Sequence, residues 1–207
     1  MIEHIQPMDI EQRSFEIITE LLGQRRLDPE NELVIKRVIH TTADFEYADS
    51  LAFSEHAVQK GLEALRAGCD IVTDTQMAKA GINKTALTRL GGQVYCFISD
   101  PDVAREAKDR GITRAAVSME RAAQLEKPCI FAIGNAPTAL LTLRTLLDEG
   151  RVSPALIIGV PVGFVNVVES KEQILTARAP YIVARGRKGG SNVAAAICNA
   201  LLYQITR

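Results

Sequence analysis

The chain has 207 residues, 47% of them hydrophobic and 24% charged, with a formal net charge of −1. That composition belongs to a globular protein long enough to bury its own core, and it excludes a disordered chain. The Lys and Arg residues gather into no single block and there is no Trp, so neither the charge pattern nor the stacking platforms of a nucleic-acid binder are present.

The first residues lack a cationic segment followed by an apolar one, so no signal peptide is expected. The longest apolar runs, such as Ala155 to Val160, are strand-sized and too short to span a bilayer, so no membrane partner is expected. Asp9 followed by Gln12 has the spacing of a capping box. Ile10, Ile17, Ile18, Leu21 and Leu22 then offer an apolar helical face, with Gly23 as terminator. A second helix is predicted from about Asn31 to Val38 or Ile39. A third follows Ser54, with Ala57, Val58, Leu62 and Leu65 inward and Gly68 at its end.

From there the chain alternates. Asp70–Thr73, Val94–Ile98, Cys129–Ile133, Ala155–Val160 and Tyr181–Ala184 are apolar runs without polar alternation, as in strands covered on both faces. Helical patterns fall between them at Asp102–Arg110, Ala136–Glu149 and Asn166–Leu175, with a closing helix over Asn192–Ile205. Pro101 after Asp100 suits a first helical position. The expected fold is α/β: one doubly wound, largely parallel sheet with helices on both faces, an N-terminal helical segment before it, and a single domain over residues 1–207.

Such sheets bind ligands beyond the carboxyl ends of their strands. The loops expected there are Asp74-Thr-Gln-Met, Ser99-Asp, Gly134-Asn-Ala-Pro, Pro161-Val-Gly-Phe and Arg185-Gly-Arg-Lys-Gly-Gly-Ser. The same residue types also serve turn chemistry alone. No dinucleotide fingerprint, P-loop, nucleophile elbow or H-E-x-x-H motif occurs, which counts against a nucleotide-dependent enzyme. The glycine-rich cationic loop at Arg185 could hold an anion, phosphate or carboxylate, at a helix N-terminus, or could contact another subunit.

Cys69, Cys96, Cys129 and Cys198 are widely spaced and read as reduced, buried thiols of a cytoplasmic protein rather than a disulfide or metal framework. His4 and His56 read as surface residues. His40 falls where a helix gives way to a polar loop. It could be a cation favoured by the helix C-terminus, or a general acid titrating near neutral pH. Arg37, three residues earlier, shares its helical face.

Five stretches together resemble the precorrin-8X methylmutase family. They are Pro7 to Ile18, Arg37-Val-Ile-His-Thr-Thr-Ala-Asp-Phe-Glu-Tyr, Ala132-Ile-Gly-Asn-Ala-Pro-Thr-Ala-Leu, Pro154 to Glu172, and Arg185-Gly-Arg-Lys-Gly-Gly-Ser. The resemblance implies an isomerase of cobalamin biosynthesis that moves a methyl group from carbon 11 to carbon 12 of a ring-contracted tetrapyrrole, giving cobyrinate or hydrogenobyrinate. It places the catalytic histidine on His40, as proton donor or acceptor, and substrate-binding residues on Ser14 and Arg37. It also implies a homodimer with substrate at or near the subunit interface, and no metal or other cofactor.

A substrate with many carboxylates makes Arg185, Arg187 and Lys188 expected partners, with Gly189, Gly190 and Ser191 completing the loop; a solvated surface loop is the plain alternative. His40 precedes the first predicted strand, and a site shared between subunits would bring it to the ligand. The segment from His40 to Tyr47 looks more like the cobalt-substrate branch than the metal-free one. The competing function is a non-catalytic tetrapyrrole carrier or product-sequestering protein.

Overall fold

Apolar runs without alternation become strands that pack on both faces, and they do so here within one sheet. The computed structural model describes Gln6 and residues 9–207. Its strands are β1 (Leu51–Phe53), β2 (Asp70–Thr73), β3 (Val94–Tyr95), β4 (Cys129–Ile133), β5 (Leu156–Gly159) and β6 (Tyr181–Ala184). Their order is β1-β6-β5-β4-β2-β3, parallel throughout except that β1 runs antiparallel to β6. The helices are α1 (Ile10–Leu22), α2 (Glu32–Thr42), α3 (Tyr47–Ser50), α4 (Ala57–Arg66), α5 (Gln76–Gly81), α6 (Lys84–Arg89), α7 (Pro101–Arg110), α8 (Arg114–Ala122), α9 (Pro137–Asp148), α10 (Val167–Leu175) and α11 (Ser191–Thr206).

The period-2 alternation of side chains divides the core. Ile71, Ile130, Ile158 and Ile182 face a cluster with Val34, Val38, Leu65, Ile197 and Leu201, from α2, α4 and α11. Val72, Phe131, Ile157 and Val183 face Met119, Leu140, Leu143 and Ile174, from α8, α9 and α10. Helices therefore cover both faces, and the largely parallel α/β sheet expected from the sequence is present.

Several local expectations are corrected. β1 lies ahead of α4 and pairs with the edge of β6, so the helix predicted after Ser54 follows the first strand, and the short α3 takes the place ahead of it. Asp9 takes a helical conformation (φ −99, ψ −6) and its side chain makes no cap, while Gln12 bonds Glu16 instead. On α1 only Ile18 and Leu22 are buried; Ile10, Ile17 and Leu21 are exposed. β3 stops at Tyr95, because beyond it the chain turns, the Asp100 amide donating to Phe97 O. α5, α6 and α8 were not foreseen. Each starts at a side-chain cap, Thr75, Asn83 and Thr113 accepting from the amide three residues on.

α2 continues to Thr42, past the predicted end, and closes on Ala43 in the left-handed region (φ 52). His40 is thus inside the last helical turn. The Thr41 and Thr42 hydroxyls donate back to Arg37 O and Val38 O, at 3.0 and 2.8 Å.

Candidate active site

In the parallel part of the sheet the chain starts at β2, adds β3 on one side and then β4 on the other, so the crevice opens between β2 and β4. The protein fills it with its own anion. Asp74, buried at the end of β2, accepts from the amides of Gly134, Asn135 and Ala136 at 2.9, 2.8 and 2.6 Å, just ahead of α9. Burial raises the Asp74 pKa against the pull of those donors. Gly134 also lies so close to α11 that a Cβ there would sit 2.7 Å from Ser191 Cα. The Gly134 loop is therefore committed to structure, and the cavity that Arg37 and His40 line lies instead on the side of α2 and α11.

There α2 and α11 pack side by side. Between them opens a cavity of about 350 Å3 lined by Glu11, Arg37, His40, Asn192, Asn199 and Tyr203, among others. His40 is exposed at its mouth and meets the Phe15 ring edge-on, with centroids 5.7 Å apart and planes at 73°. Arg37 is mostly buried, its guanidinium 4.9 Å from the centroid of Phe15 and 5.1 Å from that of Tyr203. Its Nη2 lies 2.6 Å from Glu11, which also accepts from Arg207 at 2.7 Å. The two guanidinium groups, Arg37 foremost, hold the Glu11 carboxyl down at about 2. Arg37 Nε is buried with no hydrogen-bond partner among the described residues.

The loop from Arg185 to Gly190 leads from β6 into α11, whose Asn192 lines this cavity. Lys188 Nζ pairs with Asp44 at 2.6 Å and Glu46 at 2.8 Å, which ties the loop to the segment just after His40. Those carboxylates raise the Lys188 pKa, and Lys188 in turn lowers that of Asp44. Arg185 and Arg187 are exposed and form no ion pair among the described residues. Gly189, at φ +159, passes so near Val160 that a Cβ would fall 2.1 Å from its carbonyl oxygen. Gly190 N donates to Val160 O at 2.9 Å, and Ser191 Oγ lies 2.7 Å from Thr75 Oγ1.

The structure thus brings Arg37 and His40 into one cavity and sets the 185–191 loop beside it. Ser14 stands on α1 next to Phe15, its hydroxyl donating to Ile10 O at 2.8 Å. Of the loop's cations only Arg185 and Arg187 are free; Lys188 is already paired. His56 is exposed on Glu30, and His4 lies outside the described residues. All four cysteines are buried and free, with burial pushing Cys69 and Cys198 to about 12 and Cys129 to about 11. A larger cavity, about 660 Å3 beside Cys69, Pro128 and Ala155, lies at the amino ends of the strands, away from these loops.

Sequence reasoning passed over Glu11, Asp44, Glu46 and Tyr203, which hold the site cations. It also passed over Lys171, fully buried on α10 with Nζ bonded to Gly186 O and Lys188 O. The signal for Lys171 was present: Val167, Lys171 and Ile174 share one helical face, and both apolar members are buried.

A doubly wound α/β protein with an imidazole and a clamped guanidinium in one open cavity, and a cationic loop tied to the segment just after that imidazole, has the parts to bind and polarise a polyanionic small molecule. The chain belongs to the precorrin-8X methylmutase family, whose model matches residues 9–204, and it is an isomerase. It is 50% identical over 206 residues to the cobalt-precorrin-8 methylmutase of Salmonella typhimurium, covering 97% of this chain and 96% of that one. To the enzyme of the same name from Priestia megaterium it is 47% identical over 197 residues, covering 95% and 88%. The solved precorrin-8x methyl mutase of Thermus thermophilus superposes with a TM-score of 0.86 at 38% identity, over 94% of this chain and 96% of that one.

Proposed function

We propose that this single-domain protein acts in the cytoplasm on precorrin-8 or its cobalt complex, moving the methyl group from carbon 11 to carbon 12 to give hydrogenobyrinate or cobyrinate. The observation that carries the reading is the shared cavity of Arg37 and His40 beside the free Arg185 and Arg187. In a concerted shift the carbon 11–methyl bond breaks as the carbon 12–methyl bond forms, and the ring π electrons redistribute. A proton or hydrogen bond from His40 biases that redistribution toward the product tautomer, which is binding realised most fully along the reaction coordinate. Arg185 and Arg187 take peripheral carboxylates, with Gly189, Gly190 and Ser191 setting the loop's path. Lys188 and Arg37 reach a carboxylate only by exchanging it for Asp44 or Glu11, and Ser14 orients the ring edge.

The working unit in this reading is a homodimer. A cavity of about 350 Å3 is at the small end of ligand pockets, ~300–1,000 Å3, and a macrocycle overfills it. Ile10, Ser14, Ile17 and Leu21 fall within a narrow arc of α1 at 3.6 residues per turn, and the three apolar members are exposed. A second subunit on that stripe would close the cleft and exclude water from the reacting face. The names of the Salmonella and Priestia relatives support cobalt-precorrin-8 as the substrate.

The test is incubation of purified protein with metal-free and cobalt-bearing precorrin-8, followed by ultraviolet–visible spectra. Conversion well above enzyme stoichiometry, faster with cobalt, is expected. Spectral change that stops at one equivalent would make the protein a carrier, and equal rates would remove the preference for cobalt.

A further inference from the structure

Two strand-end loops are stitched into one unit. After β5, Gly163 N donates to Arg187 O at 3.2 Å; after β6, Gly190 N donates to Val160 O at 2.9 Å. The first loop carries Phe164 and Val165, 83% and 79% exposed, and the second carries the free Arg185 and Arg187. Beneath them Lys171 is 0% exposed, and its ammonium donates to Gly186 O and Lys188 O, each at 2.8 Å. Those two carbonyls flank Arg187. No carboxylate among the described residues pairs with Lys171, and burial brings its pKa down to about 8.

A buried ammonium without a counter-ion is costly to a fold, and an apolar residue of similar volume would pack here at less expense. Its hydrogen bonds all serve one loop, the loop that presents the free arginines. We infer that Lys171 is the positioning residue of the site, clamping the backbone on either side of Arg187 so that Arg185 and Arg187 stand ready for a ligand's carboxylates. Touching no ligand, it acts through those arginines. The inference rests on the proposed reading of the loop as carboxylate-binding. It assigns the apolar tip at Phe164 and Val165 to the same rigid unit, a surface of mixed apolar and cationic character matched to a flat macrocycle edged with carboxylates.

The test is Lys171→Met, which keeps the stem and removes the donors, with Lys171→Gln retaining a single amide donor. Amide hydrogen exchange is expected to quicken about tenfold or more at Gly163 and Gly190 while α2 and α11 keep their protection. For (cobalt-)precorrin-8 the KM should rise about tenfold with kcat within about threefold, the split that marks lost ground-state binding. Adding Lys171→Met to a variant that already carries Arg185→Ala and Arg187→Ala should raise KM little further, since residues acting through one another are not additive. Unchanged exchange at Gly163 and Gly190, a fall in kcat with KM unchanged, or full additivity would overturn the inference. Failure of both variants to fold would also overturn it, because Lys171 would then determine the fold and not the loop. The exchange arm needs no substrate, so failure of the wild type to turn over precorrin-8 would sink the functional reading and still leave the clamp decided.

Discussion

Replacing Arg37 by Met removes a guanidinium that the structure uses three ways, and the cost can be worked out contact by contact. The Glu11 carboxyl falls from 4.5 to about 2, which corresponds to roughly 3 kcal/mol of stabilisation of its charged form. Glu11 is a third exposed and Arg207 shares it, so screening and sharing leave about 1 kcal/mol for Arg37. The Phe15 and Tyr203 ring contacts add about 0.5–1 kcal/mol each. Against this, Met no longer buries the unpartnered Nε, a relief of about 1 kcal/mol.

The net expectation for Arg37→Met is a loss of about 1–2 kcal/mol, or a fall of roughly 2–8 °C in Tm. The sign with pH follows from the depressed carboxyl. The Glu11 contribution is complete above pH 4.5 and is lost progressively as pH falls toward about 2. Urea unfolding of both proteins across that range should therefore show the difference shrinking toward the ring-contact remainder. A difference that stays constant down to pH 2 would refute the ion-pair reasoning and leave packing alone.

Arg185→Ala with Arg187→Ala should weaken product binding by about 1.5–3 kcal/mol per lost charge-assisted bond. Tm should not change, because both side chains are exposed and unpaired; unaltered affinity in equilibrium titration would remove the loop from the site. Asp74→Ala leaves three amide donors at the start of α9 without their acceptor, and urea unfolding should show a loss of about 3 kcal/mol. A loss under about 1 kcal/mol would mean that water replaces the carboxylate there. The protein should sediment as a dimer, and Leu21→Glu on the exposed α1 stripe should split it and cut turnover. A fully active monomer in sedimentation at assay concentration would end that account.

Much of the fold was legible because burial on two faces writes itself into sequence as unbroken apolar runs: β2, β4 and β6 fall where Asp70–Thr73, Cys129–Ile133 and Tyr181–Ala184 placed them. β1 was hidden because three residues give no periodicity and its pairing with β6 is non-local. The apolar face assigned to α1 was too wide, since composition does not tell the buried Ile18 and Leu22 from the exposed Ile10, Ile17 and Leu21 beside them. At the candidate site, spacing put His40 and Arg37 on one helical face, and the family resemblance supplied their expected roles. Their partners were not, because Glu11 and Tyr203 come from distant chain segments. Asp74 shows the same limit: its loop looked like a ligand loop, and only the fold reveals that the chain supplies the anion itself.

The most direct measurement is the turnover of His40→Ala relative to wild type on saturating cobalt-precorrin-8, followed by absorbance, with folding checked by the unfolding midpoint. His40 is exposed at the cavity mouth and carries no structural hydrogen bond among the described residues, so the variant should fold normally. A placed acid or base is worth about 10²–10⁴-fold, and a fall of that size is the expected result. A folded His40→Ala protein that keeps more than about half of wild-type turnover, against that expectation, would contradict the assignment of the chemistry to this histidine.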